Sequence, residues 1–258
     1  MRGVPGLSQR LAAAGVEAGS DPLAAWAALR KAEGEGVTII DLYELVASPR
    51  GLAAHELPLA ERKSMWAAVM PARRPGFQQT EGSDRADDPP AVVPYDQSWP
   101  DRYAGWEARL CAQLGTDGQR VEHVGSTAVP GLAAKPVIDI QVSMPDVAAE
   151  NRYIAPLERA GVQLRYRDNQ HRFFRPFPGR PWDVHVHVCA AGSGWERRHL
   201  LFRDYLRVSA DARAAYAEVK FAAARLWRGD RVGYNAAKTQ VILDIMEKAE
   251  TWAARGRR

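Results

Sequence analysis

The stretch His123-Val-Gly-Ser-Thr-Ala-Val-Pro-Gly-Leu-Ala-Ala-Lys-Pro-Val-Ile-Asp-Ile140 decides how this chain folds. Residues 121–124 read as a strand that runs straight into Gly125-Ser126-Thr127, a turn that needs glycine's backbone freedom. Such a turn presents backbone N–H groups with no side chain in the way, which suits a phosphate. Pro130, Gly131 and Lys135 lie just beyond it. Residues 137–142 form a second strand, in which alternation sets Asp139 and Gln141 on one face and Ile138, Ile140 and Val142 on the other. Polar residues at such positions are ordinary where one sheet face meets solvent, so periodicity alone leaves exposure and a functional site both open.

The next informative strand is 183–188, where Asp183, His185 and His187 share a face opposite Val184, Val186 and Val188. Three groups able to bind a metal or move a proton stand in a row there. Five of the six histidines fall between His123 and His199, which marks the same region. Further strands are expected at 163–166 and 171–175. Helices are expected at 99–114, at 147–160 and, closing the chain, at about 194–208, 210–228 and 231–254. The order α-β-β-α-β-β-β followed by helices predicts an α/β (α+β) domain with a mixed sheet of four or five strands and helices packed on it.

Upstream, residues 1–70 read as a small helical region. Ser20-Asp21-Pro22 is a helix start, and Leu23, Trp26, Ala27 and Leu29 recur at helical spacing. Thr38 followed by Asp41 imitates a capping box, and a third helix is expected at 58–70. Residues 71–91 are polar and proline-rich, which reads as a linker, so residues 92–258 form the domain that carries function.

Composition removes several classes. No apolar run is long enough to span a membrane, and the N-terminus lacks the order of a secretory signal, so the expectation is a cytoplasmic protein. Cys111 and Cys189 are too few for a disulfide framework, lack metal-ligand spacing and are expected to serve packing. Arg255, Arg257 and Arg258 account for three of the four net positive charges, so the basic balance is mostly a tail and argues against nucleic acid as the partner. The oligomeric state is not legible.

Read as one block, His123 to Ile140 resembles the GrpB family. So do Val93-Pro-Tyr-Asp-Gln-Ser-Trp99, His171-Arg-Phe-Phe174, His185-Val-His187 and Glu196-Arg-Arg-His-Leu-Leu-Phe-Arg-Asp-Tyr-Leu206, the whole covering about residues 92–250. That family is similar to the nucleotidyltransferase superfamily, where a Gly-Ser turn holds nucleotide phosphates and carboxylates on two later strands hold magnesium. The resemblance implies a nucleotidyltransferase-like mixed sheet, with Gly125, Ser126 and Thr127 at the phosphate and Asp139 as first metal ligand. Gln141 stands at the second acidic position, where its neutral oxygen is a poorer magnesium ligand than a carboxylate. The third position falls to Asp183, or to His185 or His187, which favour a transition metal or proton transfer.

Basic groups that would complete an anion pocket are Lys135, Arg172, Arg203, Lys220 and Lys238. Tyr216 and Lys220, like Tyr234 and Lys238, are i,i+4 pairs on a helix face, although such lysines also lie along surfaces without function. The expected activity is nucleotidyl transfer, or an adenylate-using condensation, onto a small-molecule acceptor. It would use ATP or another nucleotide with Mg2+ or Mn2+, and His185, His187 or Lys135 as catalytic groups. Two alternatives stand beside it. One is a catalytically reduced nucleotide- or metabolite-binding module; the other is a transition-metal hydrolase or lyase built on Asp183, His185 and His187.

Overall fold

A computed structural model of the chain describes residues 6–73, 76–80, 91–115 and 120–256. The helices and strands are, in chain order, α1 (Leu7–Ala13), α2 (Pro22–Glu33), α3 (Ile39–Ala47), α4 (Leu59–Arg73), β1 (Gln78–Gln79), α5 (Trp99–Leu114), β2 (Arg120–Val124) and β3 (Ile138–Met144). They continue with α6 (Ile154–Arg159), β4 (Val162–Arg167), β5 (His171–Pro176), β6 (Val184–Ala190), α7 (Gly194–Val208), α8 (Ala210–Leu226), α9 (Arg231–Ala236) and α10 (Thr239–Arg255). No helix among the described residues is long and apolar enough to cross a membrane.

Contacts group the chain into two units. The first holds the residues up to Arg73 together with Ala222–Leu243. The starts of α2 and α3 are those the sequence announces. The Asp21 carboxylate accepts from the Ala24 amide at 2.9 Å, and Thr38 and Asp41 close a reciprocal capping box at the start of α3. Trp26 is buried and donates its indole N–H to the Thr38 carbonyl at 2.7 Å. The boundaries 1–70, 71–91 and 92–258 followed composition along the chain. Contacts instead bring Ala222–Leu243 to the early helices, because Trp227 packs near Tyr43 and Asp230 pairs with Arg62 at 2.6 Å. Both members of that ion pair are buried, with side chains 8% and 5% exposed, and Asp230 also caps α9 by accepting from the Gly233 amide.

The second unit, centred on Ala91–Phe221, contains a six-stranded mixed sheet in the order β1-β4-β5-β6-β3-β2. Every neighbouring pair is antiparallel except β3 and β6, which run parallel. The aliphatic residues of those two strands, Ile138, Ile140, Val142, Val184, Val186 and Val188, form the core with Trp99 and Leu110 of α5, Leu157 of α6 and Phe174 of β5. Their burial is what hydrophobic alternation requires of one sheet face, and it leaves the opposite face to polar side chains.

Several expectations are corrected. Of the segment read as linker, residues 74–75 and 81–90 lie outside the described residues. Residues 71–73 continue α4, and Gln78–Gln79 form an edge strand on β4, too short to leave a hydropathy signal. That strand brings the sheet to six. The helix expected at 147–160 shrinks to α6, because the Asp146 carboxylate binds the Ala148 amide and Glu150–Arg152 tighten into a 3-10 turn. The last helix is two, α9 ending where the Lys238 amide bonds back to the Asn235 carbonyl.

Removing one partner of a buried ion pair leaves the other charge uncompensated. Arg62→Ala is expected to lower the unfolding free energy by about 3–5 kcal/mol. Urea titration followed by circular dichroism measures this, and a loss near that of an exposed pair would show that water reaches Asp230.

Candidate functional site

The parallel register of β3 and β6 sets Asp139 beside His185 and Gln141 beside His187. Antiparallel β5 adds Phe173 opposite His187 and His171 opposite Cys189, so imidazoles and aromatic rings gather on the polar face. Gly125 approaches the same face with φ 70°, a conformation that favours glycine. A Cβ at this position would stand 2.5 Å from Asp139 Oδ2 and 2.9 Å from its Cβ, so glycine is required twice over, by backbone and by space. Ser126 opens the 3-10 turn that follows. Asp139, His185 and His187 each offer a ligand atom, all within 4.8 Å of one another.

The hydrogen bonds at His185 fix its protonation. Trp182 donates its indole N–H to Nε2 at 2.8 Å, and indole has no acceptor role, so Nε2 carries a lone pair. The ring proton therefore sits on Nδ1, which donates to Asp139 Oδ1 at 3.0 Å. Burial lowers the His185 pKa and keeps the ring neutral. Burial is the largest influence on Asp139 and works against its charge, but its interactions with His185 and His187 together outweigh it and hold the carboxyl well below the usual range. His187 Nε2 lies 3.8 Å from the same Oδ1, and Trp195 and Phe173 flank its ring.

Gln141 is fully buried, and its Oε1 has no hydrogen-bond partner, while Nε2 reaches Ser143 Oγ at 3.4 Å. An acceptor left in this state costs roughly 1–3 kcal/mol. Solvent exposure is thus not the reason for a polar residue here. Lys220 is also buried, 2% exposed, with its ammonium on the Ala133 carbonyl and over the Tyr216 ring at 4.6 Å. Burial brings its pKa down to about 7, against the pull of Asp139. Tyr216, buried beside it, is pushed up to about 12 by the same cause.

The structure gathers Gly125, Ser126, Asp139, Gln141, His185 and His187, with Lys220 near enough to feel the Asp139 charge. Other expected members stand apart. Thr127 Oγ1 turns to His123 Nε2 at 3.0 Å and is 2% exposed. Asp183 precedes β6, lies outside the Asp139 cluster and bonds the Ile138 amide through its carbonyl. Arg172 points to the opposite sheet face and is held by Glu150 and the Asp168 carbonyl. Arg203 is held by Glu122 at 2.7 Å, by the His123 carbonyl at 2.9 Å and by Asp204. Lys135 is half-buried beyond the turn, its carbonyl taking the Val137 amide. Lys238 lies over Tyr234 within the first unit.

Four residues went unassigned in the sequence: Trp182, Trp195 and, as a third group, the pair Asp168 and His171. The first two are single aromatic residues in loop or helix-start positions, which carry no periodic signal. The Asp-x-x-His spacing of the third is a turn signature that a reader of hairpins would stop at.

The fold and site together define a mixed-sheet α/β domain in which a glycine turn packs against a carboxylate–imidazole cluster. Residues 89–248 match the model of the GrpB protein family, and the chain belongs to that family. A UPF0157 protein of Streptomyces coelicolor is 46% identical over 60% of this chain and 81% of its own. The crystal structure of conserved protein GrpB from Enterococcus faecalis is 27% identical, covers 61% of this chain and 98% of its own, and superposes with a TM-score of 0.53. A protein of Mycolicibacterium paratuberculosis named dephospho-CoA kinase is 34% identical over 64% of this chain, which spans 47% of that longer relative.

His123 reports on the integrity of β2 and the turn. Its ring stacks on Tyr103 with centroids 4.6 Å apart, and burial lowers its pKa from 6.5 to about 4. The unfolded chain therefore binds the proton first as pH falls, and stability present above 6.5 is lost progressively towards 4. His123→Phe keeps a ring against Tyr103 and is expected to flatten the fall of unfolding free energy in that window. Denaturant titrations across it, with the wild-type chain alongside, measure the difference.

Proposed function

We propose that the domain binds a nucleotide, or another small molecule carrying a phosphate, at the Gly125-Ser126 turn and transfers its nucleotidyl or adenylate group to a small-molecule acceptor. One metal-binding carboxylate and an imidazole base stand in for a two-metal centre. The observation that carries this reading is the packing of Gly125 on Asp139, which makes the turn and the carboxylate one wall. A phosphate bound by the turn's amides would lie beside the only acid of the cluster. The buried Oε1 of Gln141 adds support, since a donor brought by a ligand would remove its cost.

A two-metal magnesium centre does not fit these residues. A neutral amide holds the second acidic position, imidazoles hold the third, and Asp183 stays outside. A single Mg2+ or Mn2+ arriving with the nucleotide does fit, because magnesium is commonly held by one or two carboxylates together with substrate phosphates. Asp139 would hold it, and when bound it would neutralise phosphate charge in the transition state. His185 keeps Asp139 oriented, and His187 takes the acceptor's proton. Lys220, with a pKa of about 7, adds positive charge when protonated. The setting is cytoplasmic, with no nucleic acid required. Dephospho-CoA, from the name of the mycobacterial relative, itself carries an adenosine nucleotide and belongs among the ligands to try.

A second reading, a transition-metal hydrolase or lyase, is favoured by the closeness of Asp139, His185 and His187. Against it stands Trp182. A metal on His185 Nδ1 would require Nε2 to carry the ring proton, facing the indole N–H donor to donor.

Thermal unfolding of the full chain with ATP, other nucleoside triphosphates and dephospho-CoA, each with Mg2+, Mn2+ or Zn2+, tests these readings. The expected result is stabilisation by a nucleotide with Mg2+ or Mn2+, about 2.7 kcal/mol at a hundredfold excess over its Kd, lost in Asp139→Asn. No stabilisation by any nucleotide rejects the proposal. Binding unaffected by Asp139→Asn favours a binding module, and stoichiometric zinc, iron or manganese in the purified protein favours the second reading.

A further inference from the structure

A second chain of hydrogen bonds leads towards Asp139 through His187, and it begins at a residue outside the ligand site. Asp168 sits in the short turn joining β4 to β5. Its Oδ1 accepts from the amides of Gln170 and His171, both at 2.9 Å, and its Oδ2 faces His171 Nδ1 at 3.2 Å. The carboxyl is held down to about 2: burial opposes its ionisation, and the His171 hydrogen bond and the turn amides outweigh that. An ionised carboxylate only accepts, so the His171 proton is on Nδ1. His171 Nε2 then carries a lone pair, and the His187 Nδ1 facing it at 3.4 Å must be the donor. The His171 ring is 4% exposed and lies against Trp195 at 5.0 Å with planes 16° apart, so it has little freedom to turn over.

We infer that Asp168 and His171 are positioning residues that fix His187 with its ring proton on Nδ1, leaving Nε2 as the proton-accepting atom beside Asp139. The 3.8 Å between Nε2 and Asp139 Oδ1 is too long for a direct hydrogen bond and leaves a gap bounded by two acceptors, which a donor group or cation would fill. The inference deepens the proposed function, on which it relies only for the source of the proton, an acceptor hydroxyl. On transfer, the proton passes to Nε2 and the O–H electron pair stays on the oxygen. The resulting imidazolium is held by Asp139 on one side and by His171, backed by Asp168, on the other. With His185 fixed by Trp182, both imidazoles beside Asp139 have assigned tautomers, one donating to the carboxylate and one facing it with a lone pair.

The assignment is tested without any ligand, so its outcome is separate from that of the nucleotide screen. Long-range nitrogen–proton correlation spectra of the uniformly 15N-labelled full chain at neutral pH report which ring nitrogen of each histidine carries the proton. His187 is expected to show a protonated Nδ1 and a bare Nε2. In Asp168→Asn the side-chain oxygen keeps the two turn amides, and the new N–H group faces His171 Nδ1. This reverses the chain, moving the proton to Nε2 in His171 and then in His187. A wild-type His187 protonated on Nε2 alone overturns the inference, whether or not the variant folds. So does a folded Asp168→Asn chain in which neither tautomer changes. A structural role for Asp168 alone would shift the melting temperature and leave the tautomers in place.

Discussion

The parallel pairing of β3 with β6 is the constraint on which the rest of the second unit depends. Because side chains alternate with a period of two, a slip of one residue would turn the histidines towards the core and the valines out of it. The pairing is secured by the match of two aliphatic rows, Ile138, Ile140 and Val142 with Val184, Val186 and Val188, against α5 and α6. The polar site is therefore a by-product of core formation. Asp139 meets His185 because their neighbours in sequence must be buried together. Antiparallel β2 then delivers Gly125 to the same carboxylate, since its last residue, Val124, pairs with Asp139.

The electrostatic character of the site follows from which charges are already spent. Arg172 and Arg203, the strongest anion binders expected from the sequence, are held by Glu150 and Glu122. Burial depresses Lys220, His123 and His185. What remains is one ionised acid among largely neutral imidazoles, indoles and an unpartnered amide oxygen. Such a surface discriminates by hydrogen-bond polarity more than by net charge, and a misplaced donor or acceptor is costly in it.

Much of the fold was legible because its elements declare themselves locally. The strand–glycine–strand block, the Asp21 and Thr38 caps and α5 at residues 99–114 rest on periodicity and turn chemistry that need no knowledge of space. Asp139, His185 and His187 were legible as faces of strands, though not as neighbours of one another, since register is a property of pairing. The partners of Arg172 and Arg203 were not legible for a related reason. A guanidinium offers itself to any anion, and nothing along the chain shows that Glu150 or Glu122 stands closer than a ligand. Trp182 escaped notice because one indole N–H next to a strand matters only through the tautomer it imposes across space. β1 escaped because two edge residues have too few side chains to form a pattern.

The buried pair of Arg62 and Asp230 joins residues 168 positions apart in the chain. At the ribosome, where about 5–20 residues are added per second, roughly ten to thirty seconds separate the appearance of the two partners. Throughout that interval the early helices carry a guanidinium and a tyrosine whose burial awaits Asp230 and Trp227, and every strand of the sheet is made within it. The unit whose synthesis begins first thus stays incomplete until all the strands of the other have been made. Its early helices therefore wait in an incomplete state, open to the wrong contacts that chaperones suppress.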